Sequence, residues 1–437
     1  MSGELILEWG LSWGEYCPMR FSKAIDQFYI LPPAAQSYES YSTRLIAIAQ
    51  QHSVTLFIPV SGAGNSVEDA RAAEEMAAET KGRCRTWIQD PETMLDLHDK
   101  DRFMALVERF GMLTPKGRMV TSTSEALAFL MEEGPKDGQG REPKYILKCM
   151  DLDENRGDMT LYPLKGDDAG LSSTRKMLEG LRLKITKECP YVFQEFIPGQ
   201  GVLGVESALI SDTVLTGVEW CTHASVLLGQ VTAFVTCPSN DMLMTYENAT
   251  SEVVGKQAEE WTRKLLAKLQ QDPTPNGEPR RLTGHFSFDF IQSTKDGQLY
   301  PLECNARVHT AVILLPLSKL ASCYDPQYQS RSEETLRPNP KTAPRSWIYN
   351  DLIMRYLPLL VPSHDLLSYI HPSLPASAVV KRGIRPSEEP VNWRVDPSLI
   401  ADDWIPFIVL WHVFWPIMLL TRWWQGKKWT RVSLFQD

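Results

Sequence analysis

Residues 284–310, GHFSFDFIQSTKDGQLYPLECNARVHT, constrain the chain more than any other segment. Residues 285–292 and 298–304 are two apolar runs of strand length, and the five residues STKDG between them form a turn, so the two runs read as paired strands. Side chains alternate faces along a strand. Glu303 and Asn305, two apart at the end of the second run, therefore point to the same side, and Arg307 joins them if the strand continues. Pairing brings Asp289 alongside Glu303. The result is two carboxylates, an amide oxygen and a guanidinium on one face. Hard oxygen ligands suit Mg²⁺, which takes one or two carboxylates plus substrate phosphates. An arginine beside them suits a transferring phosphoryl group. The competing interpretation is an ordinary solvated hairpin face.

The rest of the chain reads as a mixture of α/β and α+β elements in several domains. Residues 53–60 (SVTLFIPV) have strand character and end in the turn cluster SGAGN; a run rich in helix formers, VEDARAAEEMAAET, follows. Strand, glycine turn and helix form the repeating unit of an open sheet. Gly62 and Gly64 alone signal a tight turn more than a nucleotide loop. Asp99 can cap a helix that Gly111 ends, with Phe103, Met104, Leu106, Val107 and Phe110 on one face. Ser122 and Glu125 form a capping box for a second helix that Gly134 ends. Residues 145–150 and 191–197 read as strands. Residues 251–270 read as an amphipathic helix with Val253, Val254, Trp261, Leu265 and Leu269 inward. Residues 325–346 are polar and proline-bearing, as in a linker. With 437 residues, 43% hydrophobic and 23% charged, the chain supports a sizeable core and is not globally disordered.

The formal net charge is −9, which argues against a nucleic-acid binder; an anionic ligand must be held by locally placed cations, backbone N–H groups or metal. The eight cysteines form no CxxC pair and no zinc-finger spacing, as expected for reduced thiols in a cytoplasmic protein. The opening residues MSGELILEWG lack the basic start of a signal peptide. Residues 404–424 are almost wholly apolar, but Pro406 and Pro416 break a clean span of the roughly 20 residues a membrane needs. A packed C-terminal helix or partner interface is the leading interpretation. Membrane-surface contact through residues 404–431, with Lys427, Lys428 and Arg431 as anchors, is the other.

The E-x-N-x-R ending after a D-F strand resembles the metal-binding hairpin of the ATP-grasp enzymes. Other segments match that family in order: Asp99-Lys100 before a helix, Lys148 in YILKCM, and Gln194-Glu195-Phe196-Ile197-Pro198-Gly199, which resembles the family's adenine hinge. Within the superfamily the chain is similar to the mycosporine-glycine synthases, through FSKAIDQFYILP, YILKCMDLDENRGDMTLYP, QEFIPG, Glu219-Trp220-Cys221-Thr222-His223, FSFDFIQ, ECNARVHTA and the late apolar stretch.

That resemblance implies an ATP-grasp fold with an N-terminal open-sheet domain (1–95) lacking its first strand and helix, a small lobe (96–190), a large lobe (191–324) with an insertion near 200–216, and a C-terminal helical extension (325–437). It implies ATP bound by Lys100, Lys148, Gln194, Glu195, Phe196, Ile197 and Glu219. Glu206 competes with Glu219 for the ribose contact. Asp289, Glu303 and Asn305 would hold Mg²⁺, as two ions, with Mn²⁺ as a substitute. Arg307 would be catalytic. Cys221, Thr222, His223 and His309 would line the acceptor site, although an isolated histidine is as readily structural. The implied reaction is a ligation in which ATP phosphorylates a carboxylate or a vinylogous acid, such as the cyclohexenone 4-deoxygadusol, and the amine of an amino acid then displaces phosphate. A carboxylate–amine ligase making a peptide-like bond is the nearest alternative. A non-catalytic nucleotide-binding relic is the alternative of a different class. Ala306 and Gly157 depart from the pattern, where the family tends to carry proline and arginine. Oligomeric state is not legible.

Overall fold

The computed structural model describes residues 6–9, 16–60, 63–133, 144–149, 160–164, 166–167, 170–181, 183–197, 219–239, 245–325, 334–347 and 396–424. The chain divides into two compact units: Met1–Phe110, Trp220–Asp289 and Glu303–Asp437 form the first, and Gly111–Glu219 with Phe290–Leu302 the second. The expected insertion at 200–216, Glu206, Gly157, Gly134 and the basic residues after Trp424 lie outside the described residues.

The first unit opens with two parallel strand pairs. β1 (Ile6–Trp9) pairs with β2 (Gln27–Ile30), and after helix α1 (Tyr38–Gln51), β3 (Leu56–Phe57) pairs across helix α2 (Ser66–Glu79) with β4 (Arg85–Thr86). Ser37 caps α1 by accepting from the Ser40 N–H, and Leu45, Ile48 and Ala49 form its buried stripe. Alanines on α2 let α1 and α2 approach closely around Leu45, Ile48, Ala72 and Met76. The strand expected over 53–60 is shorter. Ser53 takes a left-handed φ of 51° and the Val54 N–H bonds to the Ala49 carbonyl, so both residues close α1 instead. At the other end Pro59 has no N–H to give a ladder.

Helices α3 (Pro91–His98) and α4 (Lys100–Arg109) meet at Asp99, whose carboxylate accepts from the N–H groups of Asp101 and Arg102 as the predicted cap. Phe103, Leu106 and Val107 are buried, and Gly111 has the left-handed φ of 64°.

In the second unit, β5 (Gly117–Val120), helix α5 (Thr123–Glu132), β6 (Tyr145–Cys149), β7 (Leu161–Tyr162), helix α6 (Ser172–Glu179) and β8 (Tyr191–Glu195) build a four-stranded sheet in the order β5-β8-β6-β7, antiparallel throughout. The Ser122 hydroxyl accepts from the Glu125 N–H as expected of a capping box, while the Glu125 carboxylate reaches back to the N–H of Thr121, one residue earlier than the motif requires. Phe193 sits centrally, with the rings of Phe129, Tyr145 and Tyr162 at 5.7, 6.4 and 5.8 Å.

The chain then returns to the first unit. β9 (Glu219–Leu227) and β10 (Gln230–Pro238) form an antiparallel hairpin. β11 (Thr245–Tyr246), helix α7 (Val253–Leu269), β12 (Gly284–Gln292), β13 (Leu299–Asn305), the short helix α8 (Leu317–Leu320) and β14 (Arg345–Ser346) follow. The main sheet runs β10-β9-β12-β13. Helix α7 buries Val254, Ala258, Thr262, Leu265, Leu266 and Leu269. Val253, expected inward, is 73% exposed because it is the first helical residue, ahead of the stripe. The C-terminal helical segment is α9 (Ile405–Val409), a π-turn over Leu410–Phe414 and α10 (Trp415–Trp424). It buries Phe407, Phe414 and Met418, and just ahead of it Asp403 accepts from the Ser22 hydroxyl and the Lys23 N–H. Among the described residues, no helix is long and apolar enough to cross a membrane.

Candidate functional site

The end of the main sheet gathers the predicted acidic group. Asn305 Nδ2 donates to Asp289 Oδ2 at 3.0 Å and lies 3.4 Å from Glu303 Oε1, so one point is within reach of both carboxylates. Arg307 Nη2 donates to Asn305 Oδ1 at 3.1 Å. Lys100, the first residue of α4, holds its ammonium 3.6 Å from Glu303 Oε2, and the two side chains are each 34% exposed. Two negative and two positive side chains thus converge around one amide, each half in water. Alternation along β13 produces this: Glu303 and Asn305 share a face, while Cys304 between them turns into the core. Burial first, then the charges of Asp289 and Glu303, push the Cys304 thiol well above its ordinary pKa.

The donor set fits a hard divalent cation. Both carboxylates already share one hydrogen-bond donor, which occupies the kind of position a cation would take, and an amide can turn its oxygen inward with little change of shape. Among the described residues no group of three or more His, Cys, Asp or Glu side chains is placed to hold a metal alone. A cation at this end would need further oxygens, which substrate phosphates supply.

Cys221, Thr222 and His223 lie on β9 inside the sheet, at 3, 0 and 0% exposure. Cys221 Sγ is 3.2 Å from Cys237 Sγ, and the Thr222 hydroxyl bonds to both the carbonyl and the N–H of Phe288. The ring of His223 lies 5.3 Å from that of His285, and its Nδ1 accepts from the His309 N–H. Burial, then the neighbouring His285 and His309, depress the His223 pKa well below its usual value, and burial holds His285 at about 3. These groups are neutral and packed in the sheet. His309 is half-buried and caps the following turn by accepting from the Ala311 N–H.

In the second unit, Lys148 on β6 donates from Nζ to Gln194 Oε1 on the adjacent β8 at 2.6 Å. The N–H groups of Glu195 and Phe196 bond to the carbonyls of Lys116 and Lys144, and Ile197 is buried. Glu219 opens β9 and is exposed.

Sequence reasoning missed a second group in the first unit. The loop after β4 is pinned to the main sheet: Arg281 donates to the carbonyls of Ile88 and Gln89 at 3.0 and 2.9 Å, and Gln89 Nε2 donates to the His285 carbonyl at 2.7 Å. Arg280, 2% exposed, bridges Asp96 and Asp272 behind it. A small cleft of about 10 Å³, room for about one water and partly open to solvent, is lined by Pro59, Asp69, Trp87, Gln89, His285 and Arg307. Pro59 and Trp87 follow the carboxyl ends of the parallel strands β3 and β4, the end at which open α/β sheets bind ligands. That position was the available signal.

Comparison with known proteins gives a partial likeness. No family model matches the chain. Over 244 residues, 53% of this chain, the sequence is 26% identical to the carbamoyl phosphate synthase large chain of Methanosarcina acetivorans; the match spans 19% of that protein's length. Among solved structures, the chain is similar to an L-amino acid ligase from Bacillus licheniformis, with a TM-score of 0.46 and 11% identity over 77% of this chain and 78% of that one. It is also similar to a phosphoribosylamine–glycine ligase from Thermotoga maritima, with a TM-score of 0.46 and 15% identity over 77% and 78%.

Proposed function

We propose that the chain is an ATP- and Mg²⁺-dependent ligase of the ATP-grasp type that joins an amine to an activated acid. The observation that carries this reading is the convergence of Asp289, Glu303, Asn305, Arg307 and Lys100 at the end of the main sheet. The ordered motif resemblance from Asp99 to Arg307 and the similarity to a carbamoyl phosphate synthase chain support it.

In this reading Asp289, Glu303 and Asn305 hold the magnesium, which when bound neutralises phosphate charge. Lys100 exchanges its contact with Glu303 for the nucleotide's phosphates. Arg307, anchored through Asn305, stabilises charge on the transferring phosphoryl group. Lys148 supplies positive charge to the nucleotide, with the backbone of residues 195–197 reading the adenine and Glu219 the ribose. The small-molecule acceptor is a carboxylate or a vinylogous acid such as the cyclohexenone 4-deoxygadusol. Its oxygen attacks the γ-phosphorus and ADP leaves. An amino acid's amine then attacks the activated carbon, phosphate departs with the oxygen, and the amine loses a proton. An enolised 1,3-diketone is electronically an acid with a double bond inserted, so the two substrate classes share one chemistry.

The test is phosphate release from ATP by the full chain, with 4-deoxygadusol or simple carboxylates offered against a panel of amino acids. Release that requires ATP, Mg²⁺, acceptor and amine together is expected. Absence of release with every pair, or release indifferent to acceptor and amine, overturns the ligase reading.

A further inference from the structure

The C-terminal helical segment is apolar on two opposite faces. Phe407, Phe414 and Met418 turn inward and are buried. On the outside, Trp404, Ile408, His412, Pro416, Leu420 and Trp424 recur every four residues; Pro416 is half-buried and the other five are exposed, Leu420 at 64% and Trp424 at 85%. An α-helix turns about 100° per residue, so an unbroken one would set Leu420 about 120° around the axis from Ile408. The π-turn over Leu410–Phe414 lies between them. It takes more residues per turn and gives back most of that rotation. The two ends of the segment therefore present one continuous stripe, in which His412 is the polar member. The apolar surface extends beyond the start of the stripe. Asp403 accepts from the Ser22 hydroxyl and the Lys23 N–H, the turn Pro18–Phe21 lies against α9, and Met19 and Phe21 in that turn are exposed. A helix that is apolar all round is normally covered all round; here one face is packed on the protein and the other faces outward.

Charge and composition say what covers the outward face. Residues 404–436 carry four cations, Arg422, Lys427, Lys428 and Arg431, and no acid, in a chain whose net charge is −9. Six of the thirteen tryptophans fall between 404 and 429. Tryptophan is favoured at the boundary of water and hydrocarbon, where its ring is buried and its N–H stays wet. A protein partner would account for the apolar stripe but not for the basic cluster that follows it. An anionic bilayer accounts for both, with the stripe at the acyl boundary and the cations at the headgroups. We infer that residues 404–424 form an in-plane membrane anchor, whose outward face lies in the interface of a bilayer containing anionic lipid and is held there by the basic residues of 422–431. The segment lies on the bilayer rather than across it, because its inward face is packed on the protein. The excess of acid belongs to residues 1–403, so an anionic surface repels the rest of the chain and confines contact to this face.

Flotation of the full chain with vesicles of phosphatidylcholine alone, and of an equimolar mixture of phosphatidylcholine and phosphatidylserine, tests it together with two double variants. Leu420→Ser with Trp424→Ser removes the most exposed apolar pair. Lys427→Gln with Lys428→Gln removes charge and leaves the stripe intact. The wild-type chain should bind the mixed vesicles, and bind phosphatidylcholine alone more weakly; added salt should weaken the mixed-vesicle binding. Each double variant should weaken it about tenfold, with circular dichroism and melting temperature as in the wild type. If the Leu420 and Trp424 variant does not fold, the lysine variant carries the comparison. No binding of the wild type to mixed vesicles, equal binding to the two kinds of vesicle, or unchanged binding in a folded variant overturns the inference. Sedimentation equilibrium without lipid covers the other occupant: a wild-type dimer that Leu420→Ser with Trp424→Ser dissolves, in a chain that binds no vesicles, would assign the face to a second copy and overturn the membrane reading.

Discussion

Two groups of polar residues on the β10-β9-β12-β13 sheet are treated oppositely. In one, His223, His285, Cys221 and Thr222 are buried, and the two histidines are held neutral. In the other, Asp289, Glu303, Asn305, Arg307 and Lys100 are partly exposed and offset one another. The difference is one of solvation. A charge inside the sheet would lose its hydration with nothing to replace it, whereas around Asn305 partial exposure and opposite charges a few ångströms away make ionised groups tolerable. The same sheet thus supplies a buried floor and a charged rim, and the proposed chemistry is assigned to the rim.

Phe288 is the sharpest probe of the floor. It is fully buried, stacked on Phe103 at 6.0 Å and met edge-on by Trp261 at 5.1 Å. Phe288→Ala should lower the unfolding free energy by about 3–5 kcal/mol, read by urea denaturation. A loss below ~1 kcal/mol would show that the middle of the sheet is not the packed region described here. A substitution at the rim, such as Lys100→Met, should change stability by less than ~1 kcal/mol, since an exposed ion pair contributes little.

The histidines give a smaller, pH-dependent effect. Burial sets the folded pKa of His285 at about 3, against an ordinary 6.5. As pH falls, the unfolded chain takes up the proton first. The stability contributed by neutral His285 is therefore fully present above about 6.5 and is lost progressively as pH drops toward 3. The melting temperature should fall by roughly 3 °C per pH unit below 6.5, and His285→Gln should flatten that slope. A wild-type melting temperature that is level from pH 7 to pH 5 would contradict the neutral-floor description.

What the sequence revealed follows the same division. The hairpin of residues 285–304, the Asp99 cap and the Ser122 cap depend on neighbours a few positions apart, and each formed where local chemistry placed it. The shared face of Glu303 and Asn305 was legible because a strand has a period of two. The burial of Cys221-Thr222-His223 was not, since it depends on which strands β9 lies beside. Nor was the cleft. Gln89 and His285 are 196 positions apart in the chain, and no spacing rule joins Asp69 and Trp87 to Arg307. The strand expected over residues 53–60 was overread because the sequence does not show that Ser53 and Val54 are needed to end α1.

The central claim is that the charged rim holds a metal-bound nucleotide. Calorimetric ADP affinity, measured with and without Mg²⁺ on the wild-type chain and on Glu303→Gln, tests it most directly. Mg²⁺ should tighten ADP binding to the wild type by at least about tenfold and leave Glu303→Gln unchanged, with both proteins giving the same circular dichroism spectrum. Equal Mg²⁺ enhancement in the two proteins would place the metal, and the chemistry assigned to it, somewhere other than the end of this sheet.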